Sequence, residues 1–374
     1  MIPDRVSFDR HMMGIAIRMA RRGLGTTSPN PSVGAVIADE ATGEVIARGW
    51  TQAGGRPHAE KEALRRAGNR ARGRTMYVTL EPCAHTGRVP TCADAMLAGG
   101  VRRVVCAIPD PNPVVSGRGF AQLRAAGIEV DVGLLADEAR WVTLGHILRQ
   151  TADRPFVQLK MALDAEGRVA AGDGAPVWVT GPEARAFAHL LRAEADAILV
   201  GSGTVLADDP ELTCRLPGLA ARSPDRIVLD TRLRTPSSAK VFRSSTAKPR
   251  VWVAAAVGEA HREPQHHGGS GALVLDIGSR DGRSLDLDGL LDTLAVNGLT
   301  RLMVEGGPTV WNAFLKAGFV DEICIVHGAG IATGSTISVI TGDPDPFFAA
   351  FGLLPVATRL LGTDTLRVYR RESP

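Results

Sequence analysis

Little in this chain is aromatic: Phe, Trp and Tyr make up 5% of its 374 residues, and only two are Tyr. Single-stranded nucleic acid is held on aromatic platforms along a basic groove, and a net charge of +3 supplies no such groove. A nucleic-acid partner of that kind is excluded, as is a strongly charged membrane-binding face. The five cysteines are an odd number spread over a long chain. That argues against a disulfide framework and for a reducing compartment. No stretch approaches the roughly 18 apolar residues of a membrane span. The N-terminal MIPDRVSFDRHMMGIAIRMARRG lacks a secretory core with a small-residue cleavage site. The expectation is a cytoplasmic protein with neither a membrane nor a nucleic-acid partner.

What is present is ordinary core-forming material, 44% hydrophobic and 22% charged. The length suits two domains of the usual size. From Phe8 to about Val132, apolar runs (VGAVIAD, MYVTL, RRVVCAI, IEVDVG) alternate with helix-like AEKEALRRAG and CADAMLAGG. Residues 134–153 read as a helical connector, and FVQLKMAL restarts the alternation through DAILVG, RIVLD, RVWVAAA, ALVLDIG, LMVEGG and ICIVHG. Strand–helix alternation predicts layered α/β folds in both halves, a first domain over 1–147 and a second over 152–374. PQHHGGSG (264–271) reads as a solvated loop.

PHAEKEAL opens a helix in which Glu60, Ala63, Leu64 and Ala67 share one inward face. An inward carboxylate is costly unless it meets a charged partner. In TLEPCAHTGRVPTC, Cys83 follows a rigid Pro82, and Cys92 opens a helix behind the cap Thr91, where a thiol is biased toward thiolate. One imidazole (His58) and two thiolates suit zinc, and a three-ligand set leaves a corner open for water. Glu60 would then shuttle the water's proton to a leaving group. H-x-E followed by P-C and a further Cys is the pattern of zinc deaminases. A structural site needs a fourth ligand, and the nearest other thiol, Cys106, sits in apolar VVCAI as a small hydrophobe.

In the second half, DAILVGSGT and LMVEGGPTVW each end a strand in glycines before a helix, an arrangement that lets phosphate meet backbone N–H groups. Neither is a full G-x-G-x-x-G; two such turns at strand ends on one side suggest a dinucleotide site. Thr180 and Glu183 predict a capping box for a helix over 183–193. Arg192 and Arg215 are candidates to grip a substrate phosphate.

SPNPSVGAVIAD, GRPHAEKEAL, TLEPCAHTGRVPTC and PDPNPVVSGRGFAQLRAAGIEV resemble the deaminase half of the bifunctional riboflavin-biosynthesis deaminase/reductases. VWVTGPEAR, DAILVGSGTVLADDPELTCR, DRIVLD and VEGGPTVWNAFL are similar to their reductase half. The resemblance implies a cytidine-deaminase-like α/β domain followed by a dihydrofolate-reductase-like one. It implies zinc on His58, Cys83 and Cys92, Glu60 as proton shuttle and Asn30 as a substrate contact. For NADPH it implies Ala162, Trp178, Thr204, Asp208, Gly307, Pro308, Thr309, Val310, Trp311, Asn312 and Ala313; for substrate, Arg192, Leu212, Arg215 and Glu305. It further implies a pyrimidine ribotide phosphate as substrate and a homo-oligomer. The chain departs from the relatives' pattern at Asp164, Glu166 and Pro176 and in the stretch after Ile325. A carboxylate at Asp164 would repel a nearby phosphate, which raises the alternative of a second half that no longer reduces.

Overall fold

The computed structural model describes residues 4–84, 90–170, 179–243, 250–256, 270–279, 285–332, 336–340 and 342–372. Trp178, Pro176 and residues 264–269 of the loop at 264–271 lie outside the described residues. The chain divides into two compact units, Met1–Pro155 and Phe156–Pro374.

The first unit contains α1 (Arg5–Arg21), β1 (Gly34–Ala38), β2 (Val45–Trp50), α2 (Ala59–Ala67), β3 (Thr75–Val78), α3 (Cys92–Ala98), β4 (Arg103–Cys106), α4 (Arg118–Ala125), β5 (Glu129–Val132) and α5 (Ala136–Thr151). Its sheet runs β2-β1-β3-β4-β5, antiparallel about β1 and parallel from β3 to β5. Glycines let two helices press onto this sheet. A Cβ on Gly34 would run into the α1 backbone at Ala16, and one on Gly49 into the α2 backbone at Ala59 and Ala63. The close approach at Gly49 seats the helix that carries Glu60. Residues 134–153 are more than a connector: α5 buries Val142, Leu144, Ile147 and Leu148 in this unit. At the other end of the strands, buried Arg103 bonds Asp9 at 2.7 Å, Glu40 at 2.9 Å and Asp131 at 2.6 Å. Tyr77 donates to Asp9 at 2.6 Å.

The second unit contains β6 (Phe156–Leu163), β7 (Arg168–Ala170), α6 (Pro182–Glu194), β8 (Ala197–Gly201), α7 (Ser202–Asp208), β9 (Asp225–Leu229), β10 (Val251–Ala255), β11 (Leu273–Asp276), α8 (Leu287–Val296), β12 (Arg301–Gly306), α9 (Pro308–Lys316), β13 (Glu322–His327), β14 (Thr336–Ser338), α10 (Pro344–Ala349), β15 (Leu353–Leu361) and β16 (Asp364–Arg371). Its main sheet is ordered β11-β10-β9-β8-β12-β6-β13-β16-β15, parallel from β11 to β13 and antiparallel beyond. Alternate strand residues feed two cores. Val157, Leu159, Leu199 and Val304 join one, and Ile198, Val200, Met303 and Val326 the other. Burial on both faces is why these strands read as unbroken apolar runs.

The capping box expected at Thr180 and Glu183 does not form. α6 begins at Pro182 behind Gly181, whose N–H donates to Asp364 Oδ2 at 2.6 Å. A carboxylate from β16 takes over the function that a local side chain would have had.

Candidate metal centre and cofactor cleft

Three segments of the first unit bring three metal-binding side chains together. His58 is the N-cap residue of α2, so its ring leaves the chain just before the helix begins. Cys92 is the first residue of α3, fixed by a reciprocal cap in which Thr91 and Asp94 exchange hydrogen bonds. Cys83 lies two residues after Glu81, whose N–H pairs with Ile108 O at 3.0 Å. The donor atoms of His58, Cys83 and Cys92 all lie within 4.8 Å of one another. His58 Nδ1 is 3.7 Å from Cys83 Sγ and 3.3 Å from Cys92 Sγ. Tetrahedral zinc with ordinary Zn–N and Zn–S bonds separates N and S by about 3.6 Å, so the donor set fits that ion. Among the described residues no fourth donor joins the cluster. Cys106 is buried apart from it, donating to Ile108 O at 3.2 Å.

The two sulfurs are not equivalent. The amide that opens α3 serves the other sulfur, because Cys92 N–H donates to Cys83 Sγ at 3.3 Å. The Cys92 thiol also donates to Cys83, and this bond, opposed by burial and aided by His58, brings Cys83 down to about 4. The same contact, together with burial, pushes the Cys92 thiol up. Of the two sulfurs Cys83 is the readier to carry charge, and zinc would take both as thiolates. Its hydrogen bond with Cys83 raises His58, and burial pushes the Glu60 carboxyl up. Glu60 is 3% exposed in the first turn of α2, two residues from His58.

Two further residues pack on the segments that lead to the cluster. Asn30 packs its amide over Gly55, whose φ of +83° and lack of a Cβ make room for it, on the loop leading to His58. Buried Glu81, missed in the sequence, accepts N–H bonds from Gly119 at 3.0 Å, Gly117 at 3.1 Å, Asp110 at 3.3 Å and Phe120 at 3.4 Å. It ties the Pro82-Cys83 segment to the start of α4. An acidic residue directly before Pro-Cys was the available signal.

In the second unit, the C-terminal ends of β8 and β12 open a cleft of about 1190 Å³. Of the expected cofactor positions, Ala162, Thr204, Asp208, Gly307, Pro308, Thr309, Val310, Trp311 and Ala313 line it, and Asn312 does not. Of the expected substrate positions, Arg192, Leu212 and Glu305 line it. Arg215 does not; it is exposed, 3.7 Å from Glu211. Arg192 is not a free phosphate grip either: it bonds Glu305 at 2.8 Å and the Thr213 carbonyl at 3.0 Å. Lys160, overlooked as a lone cation inside FVQLKMAL, reaches Glu305 from the other side at 3.4 Å. Burial alone would raise the Glu305 carboxyl, but Arg192 and Lys160 outweigh it and hold it below its ordinary value. Ser202, Thr231 and Arg234 also line the cleft and were not anticipated.

Asp164 is not a source of repulsion there. It lies outside the cleft lining, fully buried, and accepts N–H bonds from Glu166 and Arg168 at 2.9 Å and Ala332 at 3.1 Å. It also pairs with Arg168 at 2.9 Å, closing the β6–β7 turn, while Glu166 is exposed and pairs with the same arginine.

The family model of the RibD C-terminal domain matches residues 155–346, and that of the cytidine and deoxycytidylate deaminase zinc-binding region matches residues 6–108. The riboflavin biosynthesis protein RibD of Aquifex aeolicus is 41% identical, over 87% of this chain and 90% of its own length. That of Escherichia coli is 42% identical, over 85% and 86%. The solved structure of Acinetobacter baumannii RibD superimposes with a TM-score of 0.83 at 34% identity, over 99% of this chain and all of that one. A diaminohydroxyphosphoribosylaminopyrimidine deaminase/5-amino-6-(5-phosphoribosylamino)uracil reductase from Thermotoga maritima gives 0.83 at 31% identity, over 98% and 99%. With both halves matched in order and relatives above 40% identity over at least 85% of either chain, the chain belongs to the RibD family of riboflavin-biosynthesis proteins, a zinc-binding deaminase fused to a reductase.

Proposed function

We propose that the chain carries out two consecutive reactions on one pyrimidine ribotide. The first removes the 2-amino group of 2,5-diamino-6-ribosylamino-4(3H)-pyrimidinone 5′-phosphate by hydrolysis. The second reduces the ribosyl to a ribityl side chain with NADPH. The observation that carries this reading is the three-donor cluster beside a buried carboxylate, in a chain whose second unit opens a glycine-lined cleft at parallel strand ends.

His58, Cys83 and Cys92 are the residues that would hold zinc. When bound there, zinc would supply Lewis-acid activation of water near neutral pH. Glu60 does the proton work: a buried carboxylate oxygen accepts the proton of the attacking water and returns it to the departing amino nitrogen. Burial raises its carboxyl above the ordinary glutamate value, which makes it a stronger base than an exposed glutamate. Asn30 is proposed to orient the ring, from its seat over Gly55.

In the cleft, the turns at 201–204 and 307–313 would hold NADPH, which supplies the hydride to C1′ of the sugar. Reduction breaks the bond between C1′ and the ring oxygen, and that oxygen must take up a proton. Lys160 keeps donors free after bonding Glu305 and is placed to give it. Arg192 and Lys160 together hold Glu305 charged, so that it can accept from sugar hydroxyls. Asp164 is spent in a turn outside the cleft, so its carboxylate gives no ground for a second half that merely binds.

All five cysteines are free, which suits a reducing cytoplasm, and among the described residues no helix is long and apolar enough to cross a membrane. The homo-oligomer implied by the relatives is part of this proposal and is read by sedimentation. A mass-spectrometric time course on the diamino substrate tests the reactions. Ammonia loss must stop with chelator, and the product must gain two hydrogens only when NADPH is present. Deaminated product that persists with NADPH would overturn the reductase half.

A further inference from the structure

We propose that Arg226 is a positioning residue of the reductase: it takes no part in the cleft and holds the loop 209–215 in place for the substrate. This inference rests on the reductase reading above. Arg226 lies on β9 and is 1% exposed, outside the cleft lining. Buried charges are ordinarily matched by an opposite charge. Here the two nearby carboxylates are turned elsewhere: Asp225 pairs with Arg250 at 2.8 Å, and Glu211 stands 3.7 Å from Arg215. Burial pulls the guanidinium below its ordinary value against both of them. Arg226 Nη1 donates instead to two backbone carbonyls, Arg243 O at 2.9 Å and Glu211 O at 3.4 Å. Its buried Nε has no partner among the described residues. Val228, on the same strand face, packs in the apolar core. An apolar residue at 226 would fill that core at less cost than a lone guanidinium, so the carbonyl contacts are the specific thing this charge adds.

The loop those contacts reach has no ladder of its own. Among the described residues, none of 210–215 forms a backbone–backbone hydrogen bond. Two residues in the loop take left-handed conformations, Asp209 at φ +39° and Leu212 at φ +55°. A leucine rarely adopts that region, and such strain gathers at ligand-holding positions. Side chains hold the loop instead. Thr213 O accepts from Arg192 at 3.0 Å, Cys214 N–H donates to Ser223 Oγ at 3.0 Å, and Arg215 N–H donates to His189 Nδ1 at 3.2 Å. At the other end, Asp209 Oδ1 accepts the Lys240 N–H at 2.7 Å. Arg226 supplies the point between them. Its second carbonyl belongs to Arg243, directly after buried Val241 and Phe242, so the guanidinium ties the loop to a segment fixed in the core.

Position along the loop gives the consequence. Pro210 and Leu212 line the cleft on either side of Glu211, whose carbonyl Arg226 holds. Arg192 reaches the loop from the cleft itself, where it also pairs with Glu305, whereas Arg226 reaches it from the buried side. Loss of the contact at Glu211 would free Pro210 and Leu212 to move, while Lys160, Arg192 and Glu305 keep their mutual bonds. The loop meets substrate before and during hydride transfer alike, so the loss falls on KM and leaves kcat nearly unchanged.

Steady-state kinetics on the full chain, with the deaminated pyrimidine ribotide and NADPH as probes, test this. Arg226→Met should raise KM for the pyrimidine about 10- to 100-fold, the worth of one or two hydrogen bonds from a charged group. Its kcat, and its KM for NADPH, should stay within about twofold of wild type. Arg226→Lys keeps the charge but lacks the planar fork, and should fall between. Hydrogen exchange should speed up in the peptide covering 209–216 of Arg226→Met, with β8, β9 and β12 still protected. Unchanged KM for the pyrimidine in both variants would overturn the proposal. So would a proportional loss in kcat and both KM values with exchange raised across the whole unit, the mark of a merely structural arginine. Should Arg226→Met not fold, Arg226→Lys decides by the same two readouts. Wild-type protein that oxidises no NADPH would overturn the reductase reading instead, and the exchange pattern then still decides the anchor.

Discussion

At Glu60 the proposed proton role can be tested apart from metal binding. It is buried beside the cluster but is not one of the three donors, so Glu60→Gln should retain zinc while deamination falls about 10²- to 10⁴-fold, the usual worth of a positioned acid–base group. Ammonia release and elemental analysis on the same sample read the two quantities. Zinc lost along with activity would make Glu60 structural. Asp164 makes a different residue-scale prediction, in stability. Burial alone would raise its pKa, but the N–H bonds of Arg168, Ala332 and Glu166 and the Arg168 pair outweigh burial and bring it down to about 2. A carboxyl depressed in the folded state stabilises that state above its unfolded pKa of about 3.9, and the contribution fades as pH falls toward the folded value. Asp164→Asn should therefore melt well below wild type at neutral pH, and the gap should close between about pH 4 and pH 2. A gap independent of pH across that window would refute the assignment. The cluster residues were legible in sequence because few side chains bind zinc and their spacing is restricted. Lys160 and Arg234 were not, because a lone cation in a strand or turn reads as solvated until a sheet brings its partners from residues far along the chain.

At the scale of elements, the metal centre depends on how a helix start and a strand end are joined. Glu81 receives four backbone N–H groups, from Asp110, Gly117, Gly119 and Phe120, and sits two residues before Cys83. A Cβ on Gly119 would strike the Pro82 carbonyl, so the segments are in close contact. Glu81→Gln replaces one accepting oxygen with a donor that faces N–H groups. The expected result is zinc affinity weaker by about 10- to 100-fold, as for other residues that orient metal ligands, measured by chelator competition. Unchanged affinity would reduce Glu81 to a stabilising cap. Elements with unbroken apolar runs, such as β1, β8, β12 and β13, were readable because burial on both faces leaves a local pattern. The cap of α6 was misread because the chain supplies it from Asp364, some 180 residues on, and no local rule contains that residue. α5 was read as a linker because its burial depends on a neighbour, α1, at the far end of the unit's sequence.

At the scale of the whole molecule, the two chemistries should come apart cleanly. His58, Cys83, Cys92 and Glu60 all belong to the unit that ends at Pro155, and every residue lining the cleft, from Lys160 to Ile337, belongs to the unit that begins at Phe156. No metal donor contributes to the cleft, and the hydride comes from a cofactor that needs no metal. Chelation should therefore abolish deamination, while NADPH oxidation continues at its original rate when the deaminated pyrimidine is supplied directly. Adding zinc back should restore the first reaction without changing the second. The experiment uses the full chain, with absorbance reporting NADPH and mass spectrometry reporting loss of the amino group. A structural zinc would give another result, because metal binding to a site that holds a fold together is folding free energy. Its removal would then lower the melting temperature sharply and slow both reactions. A three-donor site with an open corner predicts the opposite pattern: one reaction lost, one untouched, and only a modest loss of stability.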